Sequence, residues 1–110
     1  MSALPPIGHL IDGRLVDGGS RSQDVFNPAT GKPNQRVLLA DRATTEQAIA
    51  SAQAAFPAWR DTPPLKRARV MGRLKVLLEE HAEEICAMIT TEHGKVLSDA
   101  AGELQRGIEN

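Results

Sequence analysis

Cys86 is the only thiol in the chain, so it is the first residue to weigh as a reactive group. A catalytic cysteine needs a nearby base or a positive field to hold its thiolate. His93 lies seven residues on and shares a helical face with it. That spacing is a rise of ~10.5 Å, whereas direct proton transfer needs about 3 Å. With Ile85 and Met88 beside it, Cys86 reads as packing. His9, His81 and His93 have no metal-ligand spacing and no Cys or His partner close in sequence. His81 reads as a helix-start residue, and His93 as a cation favoured in a last helical turn. Glu79, Glu80, Glu83 and Glu84 are carboxylates at a helix junction. They read as a solvated surface, with Lys75 and Glu79 an ordinary i,i+4 pair. Lys66, Arg69 and Arg73 recur at i, i+3 and i+7. Such a stripe would suit a phosphate or an acidic partner, but the acids just downstream balance it, and a solvated face is the simpler reading. Arg67 differs: a helical wheel places it among Met71, Leu74 and Leu78. An arginine on an apolar face snorkels or meets a carboxylate, within this chain or outside it. Gly94-Lys95 fails as a phosphate loop, because Ile89 and Val96 stand where that pattern needs Gly and Ser or Thr. No Gly-x-Gly-x-x-Gly occurs. The pattern assigns no catalytic, no cofactor-binding and no metal-binding residue.

The elements that would position these residues fall in two groups. The first forty residues read as strands and turns. Ile7 to Ile11 and Arg14 to Val16 flank Asp12-Gly13, a two-residue hairpin signal because both turn positions need positive φ. Asp24 to Phe26 is a short strand stopped by Asn27-Pro28-Ala29-Thr30-Gly31. Arg36 to Ala40 is a further strand. The rest reads as helices. Thr44 with Gln47 makes a capping box for the first, whose apolar stripe is Ala48, Ile49, Ala52, Phe56 and Trp59. Pro57 is expected to end or kink it. Thr62 caps the second, with Pro63 in its first turn and Val70, Met71, Leu74, Leu77 and Leu78 as its stripe. The third starts near His81, buries Ile85, Met88 and Ile89, and stops at Gly94. Ser98 caps the fourth, which carries Ala101, Leu104 and Ile108. It reaches the last residue, Asn110, with no marked ending.

Composition sets the class. The 110 residues are 41% hydrophobic and 25% charged, in keeping with a globular chain. Phe26, Phe56 and Trp59 are the only aromatics, so aliphatic side chains must do most of the packing. Net charge is -1, without the basic excess of a nucleic-acid binder. A lone cysteine fits a reducing compartment. No apolar run approaches the ~20 residues of a membrane span, and Met1 to Pro6 has no secretion-signal pattern. The expectation is a cytoplasmic protein with no membrane and no nucleic-acid partner.

Ile7-Gly8-His9-Leu10-Ile11-Asp12-Gly13 and Val25-Phe26-Asn27-Pro28-Ala29-Thr30-Gly31 resemble the start of the aldehyde dehydrogenase superfamily. So do Ala54-Ala55-Phe56-Pro57-Ala58-Trp59, Arg67-Ala68-Arg69-Val70 after Pro63-Pro64, and Ile89-Thr90-Thr91-Glu92-His93-Gly94-Lys95. Each motif alone is weak, but the ordered set covers essentially the whole chain. Three features are most similar to the CoA-acylating methylmalonate-semialdehyde type. They are the Ile-Gly-His opening, Thr62-Pro63-Pro64-Leu65, and Glu92-His93-Gly94-Lys95 followed by Asp99, Gly102-Glu103 and Arg106-Gly107-Ile108-Glu109.

The resemblance implies an α/β fold class. An N-terminal β-hairpin and short strands are followed by about four helices, as part of an aldehyde dehydrogenase cofactor-binding domain. Residues 1–110 would be an incomplete domain, lacking the dinucleotide-binding core and the catalytic domain. The full enzyme would use NAD and coenzyme A. A cysteine would attack the semialdehyde, hydride would pass to NAD, and coenzyme A would take the acyl group with loss of carbon dioxide. The family's nucleophile lies far downstream, Cys86 does not match it, and none of its principal NAD-contacting residues falls here. No cofactor is expected in this chain. Some members hold a monovalent cation through groups that match Val25, Phe26 and Glu92, but many carry Asp in place of Glu92. An exposed helix-end acid is the simpler reading, and no metal residue is assigned. The expected partners are the remainder of the dehydrogenase and its homo-oligomer, and the chain alone is expected to be inactive. Two alternatives stay open: another NAD(P)-dependent aldehyde dehydrogenase, or a truncated stand-alone binding module.

Overall fold

The computed structural model describes residues 6–110. Its order is β1 (His9–Ile11), β2 (Arg14–Val16), β3 (Arg21–Asn27), β4 (Lys32–Leu39), α1 (Arg42–Asp61), α2 (Pro64–Glu80), α3 (Ala82–His93) and α4 (Leu97–Glu109). The strands form two two-stranded sheets, β1 with β2 and β3 with β4. The chain divides into two compact units. One holds the chain up to Phe26 and Pro33–Asp61; the other holds Asn27–Lys32 and Thr62–Asn110. No helix among the described residues is long and apolar enough to cross a membrane.

In the first unit, β1 and β2 pair antiparallel in the register His9↔Val16, Leu10↔Leu15, Ile11↔Arg14. Asp12 and Gly13 take φ of 51° and 70°, so the turn has the hairpin geometry their sequence predicts. Ile7 pairs with the side of β4: its N–H donates to the Arg36 carbonyl at 2.8 Å, and its own carbonyl accepts from Leu38 N–H at 2.9 Å. Both later strands start before the stretches that signal them, at Arg21 and Lys32, and β4 stops at Leu39, one residue short of Ala40. Pairing supplies the missing drive, with Arg36 meeting Asp24 across 3.2 Å. Among the described residues of this unit, Ile11 and Thr44 are buried.

The start of α1 corrects the predicted cap. Asp41, not Thr44, sits at the N-cap: its Oδ1 accepts from the Thr44 N–H at 2.8 Å and the Thr44 hydroxyl at 2.7 Å. Its carbonyl accepts the Thr45 N–H at 3.1 Å. Nor does Pro57 end the helix, which continues to Asp61.

In the second unit, α2 begins at Pro64 with Pro63 as N-cap, one residue later than the Thr62 cap predicts. Proline suits these positions because the first helical N–H groups have no intrahelical acceptor. His81 joins α2 to α3, closing one through its N–H to the Leu77 carbonyl at 3.0 Å and opening the next. Gly94 ends α3 at φ 86°, donating to the Thr90 carbonyl at 2.8 Å. Helix α4 opens on an extended Val96 rather than on Ser98, which lies inside it. Helices α3 and α4 pack together and bury Cys86 and Ala100. Ile85, Ile89, Leu104 and Ile108 are half-buried, whereas Met88, predicted as core, is 51% exposed.

Candidate functional site

Cys86 lies in the α3–α4 packing at 7% exposure. The shallow groove beside it is lined by Ala82, Ala101, Leu104, Gln105, Ile108 and Glu79. The titratable group in that lining, Glu79, pairs with Lys75 at 3.6 Å, and no histidine is there to take a thiol proton; His93 is exposed at the far end of α3. The site reads as apolar packing.

The histidines do not converge. His81 pairs on the surface with Glu84 at 3.3 Å. The half-buried His9 ring lies against Gly18, where any Cβ would come within 2.4 Å of it, so only glycine admits the ring there. Among the described residues, no three His, Cys, Asp or Glu side chains gather to hold a metal ion. Val25 and Phe26 lie in β3 of the first unit, and the exposed Glu92 in the last turn of α3 in the second.

The carboxylates spread along the surface. Glu79 meets Lys75 at 3.6 Å. Glu83 and Glu84 sit in the first turn of α3, where the helix dipole favours acids. Lys66, Arg69 and Arg73 are exposed. The groove along Arg69, Gly72, Arg73, Val76 and Leu77 also carries Glu80, which offsets their charge. Lys95 serves an ion pair: it binds Glu103 of α4 and is only 15% exposed. This pair, which the spacing analysis passed over, ties the α3–α4 turn together. Its signal was Lys95 eight residues before an acid on an adjoining helix. The Lys95 ammonium holds the Glu103 carboxyl below its usual range, with smaller help from the charges of His93 and Arg106.

A dinucleotide cofactor needs an open helix N-terminus for its phosphates. Such a cofactor rests its pyrophosphate on a helix N-terminus after a strand and a glycine-rich turn. Among the described residues the strand-to-helix step is β4 to α1, and there the Asp41 carboxylate already occupies the helix start. Hydrogen bonds from the Thr44 N–H and hydroxyl lower its pKa, keeping a negative charge where a phosphate would have to sit.

What the described residues do gather is apolar helix face. Ile49, Phe56 and Trp59 on α1 are 61%, 57% and 42% exposed. On α2, Val70, Met71, Leu74 and Leu77 are all exposed as well. These residues belong to the two stripes that helical spacing marks as apolar; Ala48 and Leu78 of the same stripes are half-buried.

The sequence pattern of the aldehyde dehydrogenase family matches residues 15–110. The chain belongs to the aldehyde dehydrogenase family. It is 58% identical over 102 residues to malonate-semialdehyde dehydrogenase of Pseudomonas aeruginosa, covering 93% of this chain and 20% of that protein. Its fold is similar to methylmalonate-semialdehyde dehydrogenase of Oceanimonas doudoroffii, with TM-score 0.93 and 63% identity over 96% of this chain and 22% of that one. A protein of Sinorhizobium meliloti 1021 described as methylmalonate-semialdehyde dehydrogenase, in complex with NAD, gives TM-score 0.93 at 43% identity, over 99% and 22% of the two chains. The chain thus spans about a fifth of the length of these aldehyde dehydrogenases. Its four helices and short antiparallel strands match the N-terminal part of that α/β fold.

Proposed function

We propose that this chain is the N-terminal portion of an NAD-dependent, CoA-acylating malonate- or methylmalonate-semialdehyde dehydrogenase. The observation that carries this reading is the 63% identity and TM-score of 0.93 over 96% of the chain with an enzyme of that name. The complete polypeptide would convert semialdehyde, coenzyme A and NAD to acyl-CoA, carbon dioxide and NADH. The dinucleotide-binding core and the nucleophile would lie in the part of the enzyme this chain does not span. Support for NAD comes from the relative solved with it. Support for the division of labour comes from Cys86, which is packed in apolar surroundings, and from Asp41, which closes the one described strand-to-helix step to phosphate.

This segment's task would be architectural. Its strands tie the start of the chain to β4 through Ile7, and its helices offer apolar faces to the cofactor domain. Its partners would be the remainder of the dehydrogenase and the homo-oligomer, in the cytoplasm.

The test is product analysis on the complete polypeptide. With malonate or methylmalonate semialdehyde and NAD, NADH should accumulate in step with acetyl-CoA or propionyl-CoA when coenzyme A is supplied. Steady formation of a free acid with coenzyme A absent would instead assign an ordinary aldehyde dehydrogenase. The 110-residue chain alone should form no NADH under the same conditions.

A further inference from the structure

The Nε of Arg67 is closed off from solvent and meets no acceptor among the described residues. His9 Nε2 and Thr90 Oγ1 are buried in the same condition. A neutral imidazole can present that nitrogen as an acceptor, and a hydroxyl can rotate. A guanidinium has neither option, because it keeps its charge and only donates. The half-buried Arg67 therefore pays for its enclosed Nε–H until an acceptor reaches it.

The position sharpens the need. Arg67 lies in the first turn of α2, where the helix dipole disfavours a cation, and that turn contains no acid. Arg67, Met71, Leu74 and Leu78 follow one another at i, i+4, i+7 and i+11, so they share one face. Met71 and Leu74 on that face are 56% and 45% exposed. Farther along it, Met71, Leu74 and Leu78 border a groove of about 430 Å³ whose opposite wall is Gly107, Ile108 and Asn110. The basic residues Lys66, Arg69 and Arg73 lie off this face.

We propose that this face of α2 is the seat for the remainder of the same polypeptide, and that Arg67 receives an Asp or Glu carboxylate from it. The inference rests on the reading of the chain as an N-terminal portion, and it goes further by naming the residue that fixes the docking. The occupant follows from two observations. The solved relatives carry this segment as about 22% of one continuous chain, so some four fifths of the polypeptide is at hand to cover an apolar face. A surface that covers Arg67 removes its charge from water, which a carboxylate on that surface offsets best, and the planar guanidinium matches a carboxylate with two parallel hydrogen bonds. The apolar stripe then supplies area, and Arg67 supplies register.

The experiment uses the complete polypeptide. Its crystal structure should place a carboxylate oxygen from beyond residue 110 of the same chain within about 4 Å of the Arg67 guanidinium. Arg67→Met should lower the thermal midpoint by several degrees, and Arg67→Lys should recover only part of the loss. Arg67→Glu combined with replacement of the partner acid by Lys should melt above either single variant, which keeps the test decisive if Arg67→Met fails to fold. A guanidinium in solvent, or paired within residues 1–110 or with a second subunit, would overturn the proposal. So would an Arg67→Met midpoint equal to wild type. Semialdehyde turnover by the wild-type polypeptide tests the underlying reading separately.

Discussion

The carboxylate of Asp41 holds the start of α1 through the backbone N–H and hydroxyl of Thr44. Both bonds favour the ionised form, so its pKa lies below the ordinary 3.8. A group whose folded pKa is depressed stabilises the fold above its unfolded pKa, and that contribution disappears as pH falls through the folded value. A peptide of residues 38–61 isolates the effect. Asp41→Ala should reduce its helicity at pH 7, and the gap to the parent peptide should narrow as pH falls below the ordinary 3.8 through the lower folded value. A gap that persists at low pH would mean that the charge is not what holds the cap. Thr44 seemed the cap from sequence because Gln47 follows it at capping-box spacing. Asp41 has Thr44 at the same spacing, and the ionised acceptor wins the helix start. Residue types alone did not separate the two. They did single out Arg67, because an arginine among Met71, Leu74 and Leu78 conflicts with its neighbours whatever the fold.

At the scale of elements, the turns were the most legible features, because their constraints are local. Asp12-Gly13 and Gly94 each meet a backbone requirement that few residues satisfy. At Gly94 the requirement is double: φ is 86°, and an added Cβ would lie 2.7 Å from Pro28 Cγ. Gly94→Ala in the complete polypeptide should therefore cost more than the ~1–2 kcal/mol of a left-handed residue alone. Gly13→Asn, at φ 70° with nothing within 4 Å of the new Cβ, should change the thermal midpoint little. Equal losses at both positions would rule out the close approach of Pro28. Helix ends and strand lengths were less legible. The polar run 21–23 carries no strand pattern and is ordered by pairing with β4, a non-local contact. Pro57 reads as an end or a kink, and α1 runs four residues past it. Pro57→Ala in the peptide of residues 38–61 should raise helicity, since it restores an N–H to the ladder. An unchanged spectrum would mean the last turn is frayed with or without the proline.

At the scale of the whole molecule, the hydrophobic pattern showed which faces are apolar but not what covers them. Ile11, Cys86 and Ala100 are the buried hydrophobic residues, and no large side chain is completely buried among the described residues. Burying a Leu, Met or Phe side chain contributes ~1.5–3 kcal/mol, and most such side chains on α1 and α2 gain only part of it here. Ordering each residue costs ~1–2 kcal/mol, so the chain by itself has little apolar burial to set against that cost. The 110 residues alone should therefore bind a hydrophobic dye, self-associate, and lose helicity gradually on heating. The complete polypeptide should show a sharp transition with little dye binding, because the same faces are then covered. If the short chain is instead monodisperse and melts cooperatively, its own core suffices. The exposed stripes would then be surface for a separate partner, rather than the seat of the rest of an aldehyde dehydrogenase.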